Sequence, residues 1–75
     1  MNTTTFLEQM QDVLDIEDRT LSLEDNFREL EEWDSLAYLS TIAMIDDEYG
    51  VVIDSKAFRE LQTLGDIAKA IEARQ

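Results

Sequence analysis

Apolar residues return at helical spacing early in the chain. Phe6, Met10, Val13 and Leu14, with Leu7 beside them, form one stripe and predict an amphipathic helix from about Phe6 to about Ile16. Thr5 stands three residues before Glu8 in the form of a capping box that would start it. From Glu17 to Trp33 the period fails. Leu21, Leu23, Phe27 and Leu30 are isolated apolar posts among acids, too unevenly placed for one helix. A connection that long in a small domain has to be functional or tied down. Those four side chains are the predicted ties, and Ser22 with Asp25 can close one short turn between them.

Periodicity resumes at Ser35 and lasts to about Tyr49, with Asp34 as N-cap. Leu36, Leu39, Ile42, Ile45 and Tyr49 make the main stripe, and Ala37, Ala43 and Met44 widen it beyond one face. Gly50 stands where a helix-ending glycine belongs. Val51, Val52 and Ile53 favour extended backbone but have no partner strand, so they read as a link packing inward. Asp54 or Ser55 then caps a short helix anchored by Phe58 and Leu61. Thr63 with Asp66 marks the start of a last helix that carries Leu64, Ile67, Ala68 and Ile71 inward and frays after about Arg74. The pattern predicts an all-α fold with three main helices, one short helix and a long first loop. Trp33 reads as a cover for the core beneath that loop.

Composition sharpens this picture. A chain of 75 residues makes a single domain spanning 1–75, and 2 glycines with no proline suit helices. It has no cysteine, hence no disulfide and no thiolate metal site, which points to a cytoplasmic protein held by packing alone. Its polar N-terminus is unlike a signal peptide, and no apolar run approaches membrane-spanning length. The 18 acids against 6 bases give a net charge of −12, which excludes nucleic acid as a partner and favours basic protein surfaces. Acid and glycine spacing between Asp46 and Asp54 does not fit a calcium loop, so no metal site is expected.

With no histidine and no cysteine, the usual general base and the usual thiol nucleophile are both missing. No catalytic residue is therefore assigned. Ser35 remains as the candidate for chemistry. Behind Asp34 its hydroxyl stands at a helix N-terminus, where unpaired backbone N–H groups favour a phosphate. Read alone, Asp34-Ser35 is equally a plain helix cap.

Asp34-Ser35-Leu36 and its surroundings resemble the acyl carrier protein family. The resemblance takes in Phe27 and Leu30 ahead of the motif and Asp46-Asp47-Glu48-Tyr49-Gly50 after it. It continues through Val51-Val52-Ile53 and Leu61-Gln62-Thr63-Leu64-Gly65-Asp66-Ile67. It implies a carrier-type four-helix bundle in which Ser35 bears a covalent 4′-phosphopantetheine derived from coenzyme A, whose thiol holds an acyl group. It also implies a monomeric carrier that is the substrate of a phosphopantetheinyl transferase and of acyl-loading and acyl-transferring enzymes with basic or apolar docking patches. Asp34, Leu36, Asp46, Asp47 and Ile53 fit the family's recognition pattern. Ala37 and Ser40 stand where fatty-acid-synthesis carriers usually show acids, and Arg59 puts a positive charge where acids are common. These departures are unlike a housekeeping fatty acid carrier, and the Trp33-Asp34-Ser35-Leu36 form resembles stand-alone carriers of specialised pathways, such as those serving surface polysaccharides or secondary metabolites. The strip expected to face outward with Ser35 runs through Leu36, Ala37, Ser40, Ala43 and Asp47. Two other readings stay open: a cofactor-free acidic helical module, which needs no hydroxyl at position 35, and a peptidyl or aminoacyl carrier.

Overall fold

Asn2 rather than Thr5 starts the first helix. In the computed structural model, which describes all 75 residues, α1 spans Thr3–Leu14, and Asn2 Oδ1 accepts the Thr5 N–H at 3.1 Å. Asparagine caps at least as well as threonine, so the helix starts three residues ahead of the expected cap. Asp15 ends the helix in the left-handed region at φ 56°, its N–H returning to Asp12 and Gln11 carbonyls. That reversal carries Ile16, predicted as the last helical residue, into the core instead, where it is buried.

All four predicted ties of the long loop hold. Leu21 and Phe27 are buried, and Leu23 and Leu30 pack half-buried against the core. The Ser22 N–H donates to Asp25 Oδ2 at 2.8 Å, closing the predicted turn. Gln11 fastens the near end: its Nε2 donates to the Arg19 carbonyl at 3.2 Å, and its Oε1 accepts the Leu21 N–H at 3.3 Å. A 3₁₀ turn, Phe27–Glu29, follows with Asn26 as its cap. The far end is stitched to the start of the last helix through main-chain bonds. Gly65 N–H donates to Leu23 O at 2.8 Å, Leu64 N–H to Asp25 O at 3.0 Å, and Phe27 N–H to Gln62 O at 3.2 Å.

This stitch explains a glycine. A Cβ on Gly65 would lie 3.1 Å from Leu23 O, the carbonyl that Gly65's own N–H already binds. Alanine is the better helix former by ~1 kcal/mol, but here the carbonyl cannot retreat without losing its hydrogen bond. Gly65→Ala is therefore expected to lower stability by ~1 kcal/mol in urea denaturation. A stabilised variant would show that the loop yields freely.

The other helices begin and end close to the predicted positions. α2 spans Ser35–Tyr49, α3 Ser55–Phe58 and α4 Leu64–Arg74. Gly50 closes α2 at φ 65°, and the Thr63–Asp66 capping box opens α4 with both of its hydrogen bonds present. One core gathers Phe6, Met10 and Leu14 of α1, Ile45 of α2 and Phe58 of α3, together with Leu64, Ile67, Ala68 and Ile71 of α4. Val51 and Ile53 point into it while Val52 between them is 68% exposed, the alternation of extended backbone.

The inner face of α2 differs from the expected stripe. Ala37, Thr41 and Ile45 are buried, whereas Leu36 and Leu39 are 71% and 61% exposed. Apolar residues surround most of α2, so its period does not single out one face. The small Ala37 and Thr41 side chains take the inside, letting the helix sit close to its neighbours. No helix is long and apolar enough to cross a membrane.

Candidate functional site

Asp34 fixes the start of α2 twice over. Its extended backbone presents the carbonyl to the Tyr38 N–H at 2.9 Å, and its Oδ1 accepts the Ala37 N–H at 2.8 Å. Ser35 follows as the first helical residue, exposed, with no hydrogen bond from its hydroxyl. In the first turn the N–H groups of Ser35 and Leu36 have no intrahelical acceptor. The 15 residues of α2 supply a full helix dipole behind them.

Ser35 lies on the wall of an open groove of about 350 Å³. The α2 side adds Trp33, Asp34 and Tyr38. The opposite side adds Ser55, Phe58 and Arg59 from α3 and its cap, with Arg28 from the 3₁₀ turn. The floor is aromatic. Trp33 stacks on Phe58 with ring centroids 6.0 Å apart and 8° between planes, and Tyr38 meets Phe58 edge-on at 5.1 Å. Phe27, beneath, contacts Trp33 at 4.7 Å and Phe58 at 5.5 Å. Arg28 braces this cluster: its Nε donates to Leu61 O and its Nη2 to Phe58 O, both at 2.8 Å, while the guanidinium lies 5.0 Å over the Phe27 ring.

The charged groups with shifted pKa values sit elsewhere. Arg19 Nη2 binds Glu32 Oε1 at 2.8 Å, and that hydrogen bond holds the Glu32 carboxyl below its ordinary range and Arg19 above its own. The pair ties the loop just ahead of Trp33. Asp66 is held low by the Thr63 N–H of the capping box and then by the Gln62 N–H just before it. Burial, and then the charge of Glu48, pushes the Tyr49 phenol up; its hydroxyl donates to the Gln9 side chain. None of these groups lines the Ser35 groove, so no shifted acid or base adjoins that hydroxyl.

The other predicted site residues divide. Asp34 and Leu36 flank Ser35 on the surface. Ser40, Ala43, Asp46 and Asp47 share a second shallow groove on α2 with Met44 and Glu48. Ala37 and Ile53 do not belong to the surface, being 7% and 2% exposed. Ala37 is two residues beyond Ser35, more than half a turn round the helix, and Ile53 is on the inward beat of its extended link. The exposed Leu39 and Val52 take their place as apolar surface. The i, i+3 spacing from Leu36 to Leu39 and the period of two through Val51-Val52-Ile53 carried that signal. Of the two cap candidates for the short helix, Asp54 is the cap: its Oδ1 accepts the Ala57 N–H at 2.8 Å, repeating around Ser55 the cap that Asp34 builds around Ser35.

The family model for the phosphopantetheine attachment site matches residues 4–71, nearly the whole chain. The chain belongs to that family. Its fold is that of the acyl carriers: the solution structure of a holo acyl carrier protein from Geobacter metallireducens superposes with a TM-score of 0.80 at 20% identity. The match covers 93% of this chain and 80% of that one. The residues at the groove suit the family's covalent group, 4′-phosphopantetheine. A free hydroxyl, unpaired N–H groups at a helix start and two arginines in the groove lining are all suited to a phosphodiester.

Proposed function

We propose that Ser35 carries the 4′-phosphopantetheine and that the chain, a single carrier domain over residues 1–75, is a stand-alone acyl carrier of a specialised biosynthetic pathway in the cytoplasm. The observation that supports this most is the exposed, unengaged Ser35 hydroxyl at the head of α2, inside the segment the family model matches. When attached, the group supplies the terminal thiol that the chain itself lacks and holds the cargo there as a thioester. The chain's own residues position it. Asp34 locks the helix start, the first-turn N–H groups favour the phosphate, and Leu36 with Leu39 presents apolar surface beside it. Without an adjoining base, Ser35 does not act as a nucleophile unaided. Attachment, loading and transfer are the work of partner enzymes.

Incubation with coenzyme A and a broad-specificity phosphopantetheinyl transferase tests this reading. Intact mass should rise by a single phosphopantetheinyl group, and peptide mapping should place it on Ser35. A chain that gains nothing is not a carrier of this kind, and a group gained on Ser55 would move the attachment site there.

The specialised role is supported by the outer face of α2. Between Leu36 and Asp46 that face offers Leu39, Ser40 and Ala43 but no acid. Docking near Ser35 therefore depends on apolar contact, with charge pairing confined to Asp34 and to Asp46 with Asp47. A buried leucine contributes ~1.5–3 kcal/mol, an exposed charge pair ~0–1 kcal/mol. Leu36→Ala is expected to lower kcat/KM with the transferase or a pathway enzyme by roughly 10- to 100-fold, and Asp47→Asn by less than about fivefold. A larger loss for the Asp47 variant would show that charge governs docking throughout.

A further inference from the structure

Between Asp15 and Asp34 acids crowd the chain, and Arg19 and Arg28 are the only bases. Arg28 gives its guanidinium to the Phe58 and Leu61 carbonyls, which leaves Arg19 to answer the loop's acids. Its Nη1 binds Asp18 Oδ1 at 3.0 Å and its Nη2 binds Glu32 Oε1 at 2.8 Å. The second bond spans 13 residues and is the only hydrogen bond joining the early limb of the loop, residues 15–21, to its late limb, residues 27–34. Arg19 is itself fastened to α1, because its carbonyl accepts Gln11 Nε2 at 3.2 Å. Trp33 and the α2 cap Asp34 follow directly after Glu32. A line of hydrogen bonds thus runs from α1 through Arg19 to the segment that leads into Ser35.

We infer that Arg19, acting through Glu32, is a positioning residue for the modification of Ser35: it holds the segment ahead of α2 in the arrangement a transferase engages. The inference rests on the assignment of Ser35 as attachment residue. Apart from Glu32, the only polar tie within Leu30–Trp33 is a local one, the Trp33 N–H to Leu30 O at 3.1 Å. Asp18 and Glu32 are held by one guanidinium and repel each other across it. Without Arg19 that repulsion would push the two limbs apart, so losing the arginine opens the loop more than losing Glu32 does. The clasp touches neither the Ser35 hydroxyl nor the groove it lines. Its release therefore lowers the fraction of carrier ready for docking, which weakens apparent binding in proportion and leaves the chemical step unchanged.

Steady-state loading from coenzyme A by a broad-specificity phosphopantetheinyl transferase tests the clasp, with intact mass as the readout. Arg19→Gln and Glu32→Gln should each raise KM for the carrier roughly two- to fivefold at unchanged kcat, the range of one exposed charge pair. Arg19→Gln should show the larger rise. The two changes shift net charge in opposite directions, so direct pairing with a basic enzyme would move KM in opposite directions. The double Gln variant should lose no more than Arg19→Gln alone, because both changes break one contact. Arg19→Glu combined with Glu32→Arg should restore KM to within about twofold of wild type. Acrylamide quenching of Trp33, the chain's one tryptophan, should rise in the single variants and fall back in the exchanged pair. All variants are assayed where urea titration shows them fully folded, so a loss of global stability cannot by itself move KM. Opposite KM shifts in the two single variants, a KM unchanged in both, or a loss confined to kcat would overturn the positioning role and leave Ser35 standing. A wild type that gains no mass would overturn the attachment reading and this inference with it.

Discussion

Ser35→Ala is expected to keep its fold and to gain no mass under conditions that load the wild type completely. On the proposed assignment the loss is total, because the Ser35 hydroxyl oxygen is then the atom through which the group is joined, and no other side chain on α2 stands in the same place. The fold survives because Ser35 contributes nothing to it: its hydroxyl is exposed and unbonded, and the cap is made by the Asp34 carboxylate with a backbone N–H. An exposed change of this kind alters stability by no more than ~0.5 kcal/mol, so far-UV dichroism and melting should match the wild type. The informative control is Ser55→Ala, which removes the matching serine behind Asp54 and should load fully. The two caps are alike, but the helices are not. α2 has 15 residues and a full dipole, while α3 has 4. An exposed apolar Leu36 follows Ser35, whereas Lys56 follows Ser55 and would repel the basic docking surface proposed for a partner. Residual loading of Ser35→Ala, or its loss in Ser55→Ala, would move the attachment site to Ser55.

Helix boundaries set by local chemistry were legible in the sequence. Asp34 with Gly50, and Thr63 with Asp66, act within a turn of their own position, so α2 and α4 start and stop where their caps place them. α1 was misplaced at its start because two cap residues compete there and the stronger lies earlier. The loop's side-chain ties were legible as apolar posts. Its main-chain stitch to α4 was not, since backbone bonds between distant segments leave no residue pattern beyond a glycine at position 65.

The site was legible in part. Ser35 stood out through its cap and its neighbours, but the groove it lines did not. Arg28, Ser55, Phe58 and Arg59 reach it from two other elements, and only packing brings them together. The inner face of α2 was the least legible element. A threonine whose hydroxyl finds no hydrogen-bond partner is buried there, while two leucines are left in solvent. Burying the leucines instead would favour the isolated chain by ~1.5–3 kcal/mol each. An arrangement that forgoes this gain follows if the outer face of α2 is kept for contact with partners, which is how Leu36 and Leu39 enter the proposed docking surface.

Phe27→Ala is expected to cost far more stability than Gly65→Ala or Ser35→Ala. The ring is fully buried and sits between Trp33 and Phe58, with the Arg28 guanidinium 5.0 Å over it. Truncating a buried phenylalanine costs ~3–5 kcal/mol through lost burial and the cavity left behind. Each aromatic pair adds ~0.5–1.5 kcal/mol beyond its area. A 75-residue domain has roughly 4–11 kcal/mol in total, so the variant stands near the edge of folding. The loss should fall first on the long loop, because Phe27 is its deepest tie and its N–H is one of the three main-chain bonds to the start of α4. Trp33, stripped of its edge contact, should then emit further to the red and quench more readily before the helical signal melts. Phe27→Leu, which fills most of the volume, should recover more than half of the lost stability. Urea denaturation followed both by Trp33 emission and by far-UV dichroism distinguishes these outcomes. If Phe27→Ala lost less than ~1 kcal/mol, or the two probes remained coincident with native Trp33 emission, the aromatic cluster would not be what moors the loop beneath Ser35.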